Sequence, residues 1–80
     1  MTGMQREELE ALFRYCVRVP DDRSVAGVTR GVWPGWDSMA HVTLVGALED
    51  QFDLILAIDE AQGLVDWESC VRVVAGRLGG

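Results

Sequence analysis

Asp37 and Ser38 stand side by side after Pro34-Gly35-Trp36 and just before a run of apolar residues at helical spacing. Asp37 is placed to cap that helix, which leaves the Ser38 hydroxyl at the positive end of the helix dipole, among backbone amides that lack partners. Such a position suits a phosphate ester. It suits a second capping residue as well, so the local pattern leaves a modification site and a purely structural serine both open. His41 follows one turn later. At about 100° per residue it falls near the azimuth of Leu44, Leu48 and Phe52 and faces inward, where a loop carbonyl could satisfy its ring or a bound cargo could meet it. A Ser38–His41 nucleophile pair is not expected, because nothing in the sequence orients the imidazole or builds an oxyanion hole. Cys16, Cys70 and the single histidine cannot complete a structural zinc site without carboxylates. Both cysteines fall on apolar helix stripes, which reads as two buried free thiols rather than a disulfide.

The elements that must position these residues follow from periodicity. Between Met4 and Arg18, residues Leu9, Leu12, Phe13, Cys16 and Val17 share one helical face, Glu7, Glu8 and Glu10 occupy the early turns, and Pro20 ends the segment. From Val19 to Asp37 no period holds, and Pro20-Asp21-Asp22, Gly27, Gly31 and Pro34-Gly35 punctuate a long loop for which Val25, Val28, Val32 and Trp33 are the expected anchors. Ser38 to Phe52 reads as helix II, with Leu44, Val45, Leu48 and Phe52 on one face and Glu49 and Asp50 off its centre. Leu54 to Ile58 reads as a buried connector, since a lone short strand would have no partner for its backbone. Asp59 to Gln62, closed by Gly63, fits a short helix. Asp66 then caps a last helix carrying Trp67, Cys70, Val71, Val74 and Leu78 at helical spacing, and Gly79-Gly80 stops it. The expected fold is all-α, three main helices plus a short one around a common core, in a single domain over residues 1–80.

Composition limits what such a domain can do. Eighty residues build one core but no cleft between two lobes, which argues against a self-contained multi-substrate enzyme. Seven arginines, no lysine and thirteen carboxylates give a net charge of -6, a surface that repels phosphate backbones and makes nucleic acid a poor partner. No apolar run approaches the roughly 18 residues that span a bilayer, and the N-terminus lacks the apolar region of a signal peptide, so no membrane role and a cytoplasmic location are expected. Trp33, Trp36 and Trp67 form no regular array for stacking bases and read as core or loop anchors.

Beyond these physical readings, Pro34-Gly35-Trp36-Asp37-Ser38-Met39, then Val42, Leu44-Val45, Ala47-Leu48-Glu49-Asp50-Gln51-Phe52-Asp53 and Asp59-Glu60-Ala61, resembles the acyl carrier protein family, whose signature is an Asp-Ser-Leu at the start of helix II. The resemblance runs from Leu9 to Leu78 and needs no gaps around helix II. It implies a four-helix acyl-carrier-like bundle in which Ser38 bears 4'-phosphopantetheine. A phosphopantetheinyl transferase adds that group from coenzyme A, and Asp37 is the acidic neighbour the transferase and its magnesium read. The thiol at the arm's end then holds an acyl cargo as a thioester. It implies a monomeric carrier rather than an enzyme, served by an acyl-loading enzyme and a downstream acyltransferase or ketosynthase. Partners would recognise Met39, Thr43, Ala47, Glu49 and Asp50 on helix II. Gly46 costs that helix about 1 kcal/mol relative to Ala, either to let a partner or the arm approach closely or for no gain in function.

Departures from the family pattern refine the expectation. Met39 stands where Leu is usual, a swap that preserves volume. Ala40 and Thr43 stand where fatty acid carriers are typically acidic, leaving Glu49, Asp50 and Asp53 as the acidic stripe. That points to specialised metabolism, such as polyketide or antibiotic biosynthesis, in preference to housekeeping fatty acid biosynthesis. An aminoacyl or peptidyl carrier is the alternative within the superfamily; an unmodified helical interaction domain is the alternative outside it. An inward His41 below Ser38 further implies a cargo that is short or polar. The tail Arg77-Leu78-Gly79-Gly80 resembles that of ubiquitin-like sulfur carriers, but such a fold needs period-two strands that are missing here, so the glycines read as a helix stop.

Overall fold

Thr2 sets the start of the first helix. Its hydroxyl accepts from the Gln5 amide at 3.1 Å while the Gln5 side chain accepts from the Thr2 amide at 2.9 Å, a reciprocal box that satisfies two amides the helix cannot. In the computed structural model, which describes residues 1–79, this helix is α1, Gly3–Val17. It stops at Arg18 in the left-handed conformation (φ 62°), with the Arg18 amide on the Arg14 carbonyl. The stop therefore comes before Pro20 and is made by the backbone. Glu7, Glu8 and Glu10 lie beyond the first turn, which carries no acidic residue.

Helix α2, Ser38–Phe52, is capped by Asp37, whose Oδ1 accepts from the Ala40 amide at 2.8 Å, and it ends at a left-handed Asp53 (φ 52°). The short α3, Ile58–Gln62, is opened by a Glu60 carboxylate that accepts from the Ala57 amide at 2.9 Å. Helix α4, Trp67–Arg77, is capped by Asp66, which accepts from the Ser69 amide at 2.8 Å; the buried Ser69 hydroxyl in turn accepts from the Val65 and Asp66 amides. Among the described residues these four helices are the regular structure, with one isolated bridge between Thr29 and Asp66 and no strand. The chain is thus a small all-helical bundle. None of its helices is long and apolar enough to cross a membrane. The Gly79-Gly80 stop falls partly outside the described residues, since Gly80 is not among them.

The core gathers around Phe13, whose ring meets Trp36 and Trp67 edge-on, each at a centroid distance of 5.2 Å. Leu9, Val17, Leu44, Leu48, Leu64 and Val74 close around it with no exposed surface, and α1 packs chiefly on α2 and also on α4. A radius of gyration of 11.5 Å fits one compact domain, for which about 11.6 Å is expected at this length. Cys16 and Cys70 are free and buried, and burial pushes the Cys70 thiol up to about 12.

Two apolar expectations fail in a common way. Of the loop anchors, Val25 and Val28 are buried and Trp33 half-buried, but Val32 is exposed. In the connector only Leu56 is buried; Leu54 is half-buried, while Ile55 and Ile58 point to solvent. Apart from Ile58, which opens α3, these residues lie in irregular segments, so their side chains do not share a face and one buried anchor does not bury its neighbours.

Candidate functional site

The approach to Ser38 is fixed by two tryptophans and a glycine. Trp33 lies half-buried with its Nε1–H donating to the Val17 carbonyl at 2.8 Å, which ties the loop to the last turn of α1. Gly35 follows so close to α1 that a Cβ there would stand 2.2 Å from the same carbonyl oxygen. Trp36 is then driven into the core, only 1% exposed, with its indole N–H given to His41 Nδ1 at 3.1 Å. Asp37 emerges as the cap, and Ser38 as the first residue of α2.

Ser38 is exposed, and its hydroxyl has no hydrogen-bond partner among the described residues. Capping is done by Asp37 alone, which removes the structural use that the local pattern left open for the serine. Ser38 borders a groove of about 640 Å³ between the loop and the start of α2, lined by Arg30, Val32, Trp33, Pro34, Val42 and His41 among others. On the other side of Asp37 a smaller groove of about 430 Å³ is lined by Tyr15, Arg18, Met39 and Thr43, and Ser38 is not part of it.

His41 is half-buried, one turn below Ser38, and its ring is satisfied at both nitrogens. The Trp36 indole can only donate, so Nδ1 is assigned the lone pair and Nε2–H donates to the Ala61 carbonyl at 2.9 Å. The acceptor thus sits in the last turn of α3, where the sequence suggested a loop carbonyl. Burial holds the ring's pKa below its usual value, against the Ala61 hydrogen bond, and the nearby Arg30 charge adds to the lowering. Arg30 Nη1 lies 2.8 Å from Nε2 and 3.4 Å from Nδ1, and Nη2 donates to the Gln62 carbonyl at 2.8 Å. Loop, α2 and α3 therefore meet at this cluster.

Along α2, Met39 and Val42 are more than 70% exposed, Thr43 and Asp50 are exposed, and Ala40 and Ala47 are half-buried. Gly46 has open space where its Cβ would be, so no packing within the chain requires it. Thr43 spends its hydroxyl on the Met39 carbonyl at 3.0 Å. Glu49 differs from the other residues expected to meet a partner. It is half-buried and its carboxylate accepts from the Leu56 amide at 2.8 Å, bracing the turn between α2 and α3.

Val42 and Arg30 are among the lining residues that the sequence did not place at the site. Val42 is one turn beyond Ser38 and shares its face, a spacing that could have placed it at the site. Arg30 carried no such signal, because it lies in a loop without periodicity and reaches His41 only through tertiary packing. Among the described residues no cluster of His, Cys, Asp and Glu is suited to a metal ion. In comparisons with family models, curated proteins and solved structures, the chain matches none.

Proposed function

We propose that this protein is an acyl carrier, with Ser38 as the attachment point for 4'-phosphopantetheine. The observation that carries the reading is an exposed serine hydroxyl, free of hydrogen bonds, at the first residue of a long helix that a neighbouring aspartate already caps. An enzyme approaching this end of α2 finds a nucleophile in solvent, and the amides of the first turn favour the negative charge of a phosphodiester. In the transfer, Ser38 Oγ bonds to the phosphorus of coenzyme A, adenosine 3',5'-bisphosphate leaves, and the hydroxyl proton passes to a base on the transferase. Once attached, the group supplies a thiol that carries acyl cargo as a thioester. The resemblance of Asp37-Ser38-Met39 and the following helix to the carrier family supports the same reading.

The chain's own part is presentation. Asp37 fixes the helix end, Trp36 and Gly35 hold that end against α1, and Met39, Val42, Thr43 and Asp50 offer partner enzymes a surface richer in apolar than in charged atoms. Glu49 serves this surface by holding the turn beyond it.

Incubating the protein with coenzyme A, magnesium and a broad-specificity phosphopantetheinyl transferase should add one phosphopantetheine by intact mass. Ser38→Ala should abolish the addition and leave the helical circular dichroism unchanged. Modification that persists in Ser38→Ala would overturn the site, and a folded wild type that is never modified would favour an unmodified interaction domain.

A further inference from the structure

We infer that the groove between the loop and α2 is the resting cradle for the near half of the arm, with Arg30 meeting its phosphodiester and Val32, Trp33 and Val42 its geminal methyls. This rests on the carrier reading, and it names what that reading leaves open, which is where the arm lies between encounters. Of the two grooves beside Asp37, only this one has Ser38 in its lining. Its volume of about 640 Å³ falls within the roughly 300–1,000 Å³ typical of small-molecule sites.

The order of chemistry along the arm matches the walls. Next to Ser38 comes a phosphodiester with one negative charge, then a carbon bearing two methyls, then amides. A phosphodiester on Ser38 stands beside the Asp37 carboxylate, and like charges that close repel. Arg30 is the one arginine in the lining. Its guanidinium donates to the neutral Gln62 carbonyl and lies against the His41 ring, and no carboxylate is paired with it among the described residues. Burial lowers the His41 pKa, which favours the uncharged ring beside Arg30. A half-buried arginine with no paired carboxylate thus lines the same groove as Ser38 and Asp37, beside the apolar side chains of Val32, Trp33 and Val42. Val32 and Val42 stand exposed at its rim and Trp33 supplies an aromatic wall, a surface that covers branched methyls better than it meets water. His41, hydrogen-bonded on both sides, forms a finished wall and no opening into the core.

The test uses the modified full chain carrying carbon-13 at the geminal methyls, with intact mass establishing that modification is complete. In the cradle, the two methyl signals should separate and move upfield of their positions in free coenzyme A, through the ring current of Trp33, and should show proximity to its indole protons. Arg30→Gln should move both signals back toward the free positions. Arg30 also ties the loop to α3, so Val32→Glu provides a second variant at an exposed position that bears no core contact. It should release the arm through charge while leaving the protein's amide spectrum otherwise in place. Full modification with methyl signals at their free positions, or with proximity to Tyr15 and Met39 in the opposite groove, overturns the inference and leaves the carrier reading standing. Absence of any mass addition is instead the failure of the carrier reading itself.

Discussion

Gly35 is the position where one methyl group does the most damage for the least change in sequence. Its Cβ would lie 2.2 Å from the Val17 carbonyl oxygen, 3.0 Å from Trp33 Nε1 and 3.1 Å from Arg18 Cβ. The Val17 oxygen must retreat by at least 0.8 Å to bring the first contact from 2.2 to 3.0 Å, and that oxygen is the acceptor for the Trp33 indole. Overpacking of this kind costs about 1–3 kcal/mol, and leaving the half-buried indole N–H without its acceptor costs about 1–3 kcal/mol more. The combined loss is about 2–6 kcal/mol. In a domain this small each kcal/mol moves the melting temperature by about 4–8 °C, so Gly35→Ala should melt about 10–50 °C lower. Gly46→Ala is the matched control, because its Cβ enters open space in the middle of α2. It should gain about 1 kcal/mol from helix propensity and melt about 4–8 °C higher. Thermal circular dichroism on both variants, followed also by tryptophan fluorescence, makes the comparison. Equal melting temperatures for the two alanine variants would refute the argument that α2 is docked on α1 through this contact.

Stability should fall as pH drops from about 6.5 toward the lower folded pKa of His41, because the unfolded chain takes up the proton first. His41→Ala should erase that slope while costing about 1–3 kcal/mol for the unpaired Trp36 indole, both read from melts between pH 5 and 8. Glu60, held at about 2 chiefly by its hydrogen bond with Arg77, acts in a separate window, losing its contribution as pH falls from 4.5 toward 2; Glu60→Gln should flatten the acid limb there. Cys70 should resist iodoacetamide in the native protein at pH 8 and react at once in denaturant, since its sulfur is fully buried and its pKa is pushed up to about 12; rapid native labelling would contradict the packing of α4. Loading Ser38 with acetyl or octanoyl pantetheine should give the same melting temperature, because Trp36 and the hydrogen-bonded His41 close the path into the core; a gain specific to octanoyl would show that the chain enters.

Sequence alone determined where the helices are and what starts them. The apolar stripe from Leu9 to Val17, the caps Asp37 and Asp66 and the glycine-rich loop are local features, and local hydrogen bonding and periodicity suffice to produce them. The inward azimuth of His41 and the burial of both cysteines were legible for the same reason, since each lies on a helix whose face is set by spacing. Thr2 could have been read too, as Thr with Gln three residues later is a capping pattern. What only the tertiary structure decided concerns contacts between segments distant in the chain. Which residue satisfies His41, why Gly35 cannot carry a side chain, and that Glu49 holds Leu56 all depend on how irregular segments lie against helices. Arg30 is the clearest case. Nothing within several residues of it repeats or pairs, and it reaches the Ser38 groove because Thr29 bridges Asp66 and the Arg30 amide donates to Val65, bringing its guanidinium between α2 and the end of α3. Exposure in loops was equally undecidable, because Val32 and Val28 have the same chemistry and only the turn at Gly31 (φ 86°) and the chain's path past α1 send one to solvent and the other into the core.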